Sequence, residues 1–565
     1  MHDFCLSRLT VSASAIAMAA AFAMPAAAAQ PTGTQDTQPA TQPTPSTTDQ
    51  TTPAETVNRT GLPSANQNQT PPGSEQAIVV TGSRIKRPEI ESPVPVAVLG
   101  QQALLQDAAA NVSDTINELP QVAIGATRTN TNFLTSGTGT SSINLRGLGF
   151  SRTLVLVNGR RFVGGFAGNP QVDINNIPTD FLDRVEVVTG GSSAVYGSDA
   201  VAGVVNFILK DRFDGIQLRA QGGQTFRGDD SNYLASLTAG QSLFGDRLHL
   251  IGNFSWDKDE GLPSRNRSIS QQDCGFAFFP DPVTGVPEIC GPAWYSSFAP
   301  QGRFNVIGAH PSILTSDFGG GATNLFTFDQ ANGLVNGFRG DFGFNRDALR
   351  LISVPLKREL ATGIANFDVT PAVRFFAELT YSHVKANAAE EPLALSSVSS
   401  GSVPIPGIAD ISLDNPFIPA DVAAAITAAN ANGAGITGIA FRRRLNEVFD
   451  RSNHADRHTF RVATGFKGTL LGKYNWEASY VYGRLHDFNQ SQNILIANLN
   501  NAIDAIRVGP GNVLGVDIVC RDPAARAAGC IPMDIFGHNT VDPRASAYIA
   551  EPGGVFQDTV NKQQV

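Results

Sequence analysis

From residue 213 onward, apolar and polar positions alternate in short runs. Leu248, Leu250, Phe254 and Trp256 fall on one face of an extended chain, with His249, Asn253, Ser255 and Asp257 on the other. Val373, Phe375, Ala377, Leu379 and Tyr381 alternate with Arg374, Phe376, Glu378, Thr380 and Ser382. Tyr474, Trp476, Ala478, Tyr480 and Tyr482 alternate with Asn475, Glu477, Ser479, Val481 and Gly483. Residues two apart share a face of a strand, so this period predicts strands with one apolar and one mainly polar surface. Seven are predicted, over 214–226, 231–242, 247–257, 358–369, 372–384, 456–468 and 473–488. Three connections are very short (243–246, Thr370-Pro371 and 468–472), whereas 258–357, 385–455 and everything after Asn489 are long excursions. The connection at 226–230 is short but falls on the side of the long ones. A soluble β-sandwich also alternates; the sorting of short turns to one rim and long loops to the other disfavours it.

Residues 146–210 are punctuated differently. Thr153–Val157 is a β-branched and Leu run that reads as a buried strand. Asn158-Gly159 follows, the dipeptide of a two-residue hairpin turn in which both positions need φ > 0. Residues 184–189 and 204–209 read as two further strands, separated by a small-residue helix or turn over 192–202. The glycines Gly190, Gly191 and Gly197 suit the tight turns between them.

The start of the chain has a different character. Arg8 precedes a small and apolar run from Leu9 to Ala29 that ends Ala27-Ala28-Ala29, the pattern of a secretory signal peptide over 1–29. A membrane helix is the competing reading, but the run is Ala-rich and leads straight into a polar tract. Cys5 precedes the apolar stretch and leaves with the peptide. Residues 30–74 are Gln, Thr, Pro and Ser with almost no large apolar side chain, so they are expected to be a disordered linker.

Composition narrows the function classes. A net charge of −9 argues against a nucleic-acid-binding face. After the signal no run of 18 or more apolar residues occurs, so no helical membrane span is predicted. No catalytic set is found and no cofactor is expected. Gly137-Thr138-Gly139 and Gly147-Leu148-Gly149 lack the third glycine of a dinucleotide loop, and there is no P-loop or HExxH. His454, Asp456 and His458 have metal-ligand types at alternate positions, yet sit where a loop enters a strand; they read as a solvated edge, with metal or ligand contact the lesser alternative.

Arg146-Gly147, the hairpin around Asn158-Gly159, the run Asp183 to Gly191 (DRVEVVTGG) and the run Ala194 to Lys210 (AVYGSDAVAGVVNFILK) occur in one order. In order and wording they resemble the plug domain of TonB-dependent outer-membrane receptors. The matching positions are Arg146, Gly147, Asn158, Gly159, Arg184, Glu186, Gly190, Gly191, Tyr196, Gly197, Gly203 and Asn206. Glu75, Ala77, Ile78, Val79, Val80 and Thr81, in the run that continues into Gly82-Ser83-Arg84-Ile85, look like the TonB box of that family. An extended apolar strand on a flexible leash can add to a partner's sheet edge, and its backbone hydrogen bonds can then transmit force. The competing reading is that Ile78 to Val80 is simply the first plug strand. The resemblance implies a signal peptide (1–29), linker (30–74), TonB box (75–82), α+β plug (83–212) and membrane β-barrel (213–565), the last incomplete. Only about seven of the family's 22 strands are recognised, and the chain ends on a polar run without the terminal aromatic of such barrels; a small barrel with strands missed in the excursions, as at 349–355 or 493–506, is the competing reading.

The implied function is energy-coupled uptake of a scarce nutrient, of siderophore, cobalamin or oligosaccharide class, at the cell outer membrane. The partners would be TonB with ExbB and ExbD, outer-membrane lipid and an extracellular small molecule. A non-transporting structural or adhesive barrel fragment is the alternative. The linker's composition could not fold as the extra domain of signalling receptors, so a transducer role is not expected. With the short turns periplasmic, Cys274, Cys290, Cys520 and Cys530 fall outside the cell, where two local disulfides are the natural reading and pairing across the excursions stays open.

Overall fold

The computed structural model describes residues 95–565 apart from 108–109, 133–136, 167–169, 191, 274–294, 309–311, 320, 402–406, 449–450 and 510–516. Its first sheet contains β1 (Val96–Gly100), β2 (Thr153–Val157), β3 (Arg160–Arg161), β4 (Leu182–Thr189) and β5 (Gly203–Leu209). Their order is β1-β4-β5-β2-β3, with β2 and β5 parallel and the other neighbours antiparallel. Both faces are covered, which is why β2 and β5 read as continuous apolar runs. Val155, Val157, Val185, Val187, Val205 and Phe207 pack with Leu104, Ile116, Ile174 and Phe181. Leu154, Leu156, Val188 and Val204 pack on the opposite side with Ala200. The hairpin dipeptide has φ 51° at Asn158 and 76° at Gly159, as its turn requires.

The second sheet is an eight-stranded antiparallel meander. Its strands are β6 (Gly215–Gly223), β7 (Asn232–Leu243), β8 (Leu248–Asp259), β9 (Leu356–Thr370), β10 (Val373–Ala389), β11 (Ser452–Leu470), β12 (Tyr474–Ser491) and β13 (Val555–Gln564). The alternation has its expected meaning. His249, Asn253, Ser255 and Asp257 are buried on the inner face, while Leu250 and Phe254 are 41% and 52% exposed on the outer one. Ile216, Leu218, Leu237, Leu379, Phe460, Phe466 and Tyr480 continue that outer apolar band across the sheet. Ile251, Ile364 and Leu485 on the inner face join the core of the first sheet. The architecture is an α+β plug seated against a partial β-barrel wall.

Two expectations are corrected. The polar tail forms β13, paired with β12 from Ser491↔Val555 to Tyr482↔Gln564, so among the described residues the wall has eight strands rather than seven. Alternation did not reveal it because both of its faces are largely polar; the backbone ladder to β12 makes it a strand. β6 and β13 are the edges of this sheet, and among the described residues they do not pair with each other.

The second concerns the long excursions, which carry strands and helices of their own. Arg303–Ile307 from the first pairs with Gly438–Arg444 from the second inside a five-stranded sheet. The final excursion contributes the helices Ile496–Ile503, Pro523–Ala527 and Pro543–Ile549. All three share one hydrophobic core, including Phe304, Phe326, Val422, Leu499, Phe536 and Ile549. Phe304 stacks on Phe326 and Phe536 with ring centroids 5.0 and 4.6 Å apart. Cys520 and Cys530 are disulfide-bonded within this layer, and both are buried. Cys274 and Cys290 lie outside the described residues.

Candidate functional site: the plug and its seat in the wall

The motif residues build the plug's lower end, beside the short turns of the wall. Asn158 Nδ2 donates to Glu378 Oε1 on β10 at 2.9 Å, and its Oδ1 accepts from Leu209 N at 2.9 Å. Gly159 N donates to Asn206 Oδ1 at 2.9 Å, which ties the hairpin to β5. The next residue, Arg160, reaches Glu378 at 2.9 Å and Glu477 on β12 at 2.7 Å. Its guanidinium also lies 4.0 Å over the Phe376 ring. From β11, buried Arg461 approaches the second oxygen of Glu378 at 3.3 Å. Thus Asn158 and Arg160, on a hairpin braced by the Gly159–Asn206 bond, converge on Glu378 and Glu477 of the wall, with Arg461 beside Glu378.

The other motif positions shape the plug itself. Arg184 bonds Glu186 at 2.8 Å along β4, and Glu186 is buried. Tyr196 O accepts from Arg161 Nη2 at 3.1 Å. Gly203 has φ 142°, and a Cβ there would meet Val188 O of the antiparallel neighbour β4 at 2.2 Å, so the start of β5 needs glycine. Gly190 and Gly197 also have positive φ, whereas Arg146 (φ 54°) and Gly147 lie on an exposed turn apart from the hairpin cluster. Gly191 and the whole segment from Glu75 through Ala77, Ile78, Val79 and Val80 to Thr81 lie outside the described residues, as do the signal peptide and linker.

A second set of contacts holds the plug's upper end, toward the excursions. Buried Arg358 of β9 pairs with Asp257 of β8 at 2.8 Å and donates to the plug carbonyls of Ala110 and Asn175 at 2.8 and 3.2 Å. Buried Arg457 of β11 pairs with Asp487 at 2.9 Å and donates to Thr138 O at 2.7 Å. Asp173 of the plug accepts from the N–H groups of Ser141 and Asn175 at 3.0 and 3.1 Å. Burial pushes its carboxyl up from the usual range, opposed by the nearby Arg457 and those two donors. Arg128 of the plug pairs with Asp259 at the end of β8.

None of Arg358, Arg457, Arg461, Glu378 or Glu477 stands out from sequence motifs. Their alternation phase puts all five on the inward face, where Arg358, Glu378, Arg457 and Arg461 are buried. It does not show which plug carbonyl or carboxylate each will meet. Chemically, the arrangement holds a domain largely by charge-assisted hydrogen bonds across a polar seam. Such bonds are strong when dry and exchangeable once water enters.

Residues 88–204 match the family model described as TonB-dependent Receptor Plug Domain. The chain carries a TonB-dependent receptor plug. Among solved structures, a mutant ferric enterobactin receptor from Pseudomonas aeruginosa is similar at 12% identity and TM-score 0.39, covering 84% of this chain and 46% of its own. The siderophore receptors PirA and PiuA from Acinetobacter baumannii are similar at 15% and 13% identity, each with TM-score 0.33. They cover 71% and 84% of this chain and 45% and 54% of their own. The chain spans about half the length of these receptors.

Proposed function

We propose that this TonB-dependent receptor chain serves energy-coupled uptake across the outer membrane, by binding and force, with no bond made or broken in the cargo. The observation that supports this most directly is the seat of the plug. Its hairpin turn and upper carbonyls are held by Glu378, Glu477, Arg358 and Arg457 of the wall, a seam that a pull can open and that recloses. The outer apolar band supports a location in the outer membrane, with the excursion layer on the extracellular side. In this reading residues 75–81 are the strand that TonB, driven by ExbB and ExbD, engages. The cargo is a scarce small molecule of siderophore, cobalamin or oligosaccharide class.

The test is deletion of residues 75–81 in the full-length gene. Surface binding of the cargo is expected to persist while accumulation inside the cell is lost. Undiminished accumulation would overturn the reading, and loss of both would point to a folding role for the segment instead.

A further inference from the structure

His383 on β10 and His458 on β11 are directly opposite in the sheet register, and Asp456 lies two residues from His458 on the same outer face. Both rings turn their Nε2 atoms to one oxygen. His383 Nε2 is 2.8 Å and His458 Nε2 3.2 Å from Asp456 Oδ1. The rings stack with centroids 4.1 Å apart and planes 14° from parallel. The ligand atoms of all three residues lie within 4.8 Å of one another. Ligands about 2.0–2.2 Å from one ion span up to about 4 Å, so small side-chain adjustments close the set on a single cation.

The opposite ring nitrogens are also held. His383 Nδ1 lies 3.5 Å from Glu359 Oε2, and His458 Nδ1 is 3.0 Å from the Tyr381 hydroxyl. A metal-binding imidazole ordinarily donates its second N–H to such a group, which orients the ring and raises its basicity. Lys385 Nζ, 3.1 Å from Asp456 Oδ2, occupies the other carboxylate oxygen. His454, by contrast, is turned away and bonded to Asn387 at 2.9 Å. In sequence, His454 alternates with Asp456 and His458. The sheet register replaces it with His383.

We propose that His383, Asp456 and His458 bind a divalent transition-metal ion of zinc-like preference on the outer face of the wall. Two imidazoles and a carboxylate suit such an ion better than calcium or magnesium, which take oxygen ligands. The site lies above the outer apolar band, on the sheet face opposite the plug, so its cation is separate from any cargo passing the plug. Its role is to staple β10 to β11 where both strands lead toward the excursion layer.

The test uses the full chain in detergent micelles, stripped with chelator and titrated calorimetrically with zinc chloride. One ion per chain is expected to bind with micromolar or tighter affinity and to raise the melting temperature. His383→Ala and Asp456→Asn should weaken binding at least tenfold. Tyr381→Phe, which leaves all three ligands in place, should also weaken it about tenfold. His454→Ala should leave it unchanged, as should His486→Ala, since His486 of β12 pairs with Asp558 of β13 at 2.6 Å and not with Asp456. Unchanged affinity in the ligand variants, or loss in the His454 or His486 variants instead, would overturn the assignment. Cobalt(II) added to the parent offers a check that needs no variant: visible d–d bands of nitrogen and oxygen ligation are expected, and their absence would equally overturn it.

Discussion

Arg358 joins the plug's upper end to the wall, and replacing it by Met removes the charge while keeping much of the side-chain volume. The loss has two parts. Asp257, paired with Arg358 at 2.8 Å and buried beside it, is left as a carboxylate without its partner. The carbonyls of Ala110 and Asn175 lose a charged donor each. Two charges about 4 Å apart at an effective dielectric near 20 attract by about 4 kcal/mol. Removing one partner of a buried pair ordinarily costs about 3–5 kcal/mol. Since each 1.4 kcal/mol is a factor of ten, the local opening equilibrium around the helix Val112–Asn117 should rise by at least about a hundredfold. Amide hydrogen exchange of the full chain reads this directly: amides of that helix should lose protection, while those of β4 keep theirs. The double variant Arg358→Met, Asp257→Leu should recover much of the loss, because no unpaired charge remains. If the single variant changes protection near residues 112–117 by less than threefold, the pair does not hold the plug and the reasoning fails.

Three further outcomes are expected. Burial raises the Asp534 carboxyl to about 6, opposed by the Phe536 N–H and Arg443, so the folded excursion layer holds this proton more tightly than the unfolded chain does. Stability from this group is therefore greatest below about pH 4 and falls as pH rises to about 6. Asp534→Asn should raise stability at pH 8 by up to about 2 kcal/mol after solvent screening, read as a higher melting temperature, and barely change it at pH 4; an equal change at both would contradict the assignment. Gly203→Val places a side chain against Val188 O in a backbone region that branched residues avoid, so it should destabilise the plug by about 3 kcal/mol or more; a melt matching the parent would contradict this. Cys520→Ser opens a short covalent loop, sequence separation 10, and should lower stability by about 3 kcal/mol, with the deficit reproduced in the parent by a reductant.

Much of this fold is written into local sequence, because strand alternation, turn chemistry and glycine sterics act over a few residues. Thr153–Val157 is a strand at its predicted bounds, and Asn158-Gly159 turns with the positive φ values its dipeptide favours. The wall strands from Leu248 and Val373 show the inner and outer faces their period implies, since a side chain two residues on returns to the same surface, and the strand from Tyr474 shows them from Val481 onward. The motif order from Arg146 to Asn206 was enough to point to a plug.

What depended on tertiary structure involves partners far apart in the chain. β13 is a strand because β12 offers a free ladder, not because its own residues alternate. The three excursions share one core because Arg303–Ile307 finds Gly438–Arg444 across more than a hundred residues, a pairing no local pattern encodes. Glu378 becomes the receiver of Asn158 and Arg160, and His383 rather than His454 joins Asp456 and His458, for the same reason. Alternation sets which face a side chain takes, but the register between strands decides whom it meets, and register is settled only when distant segments bury surface together.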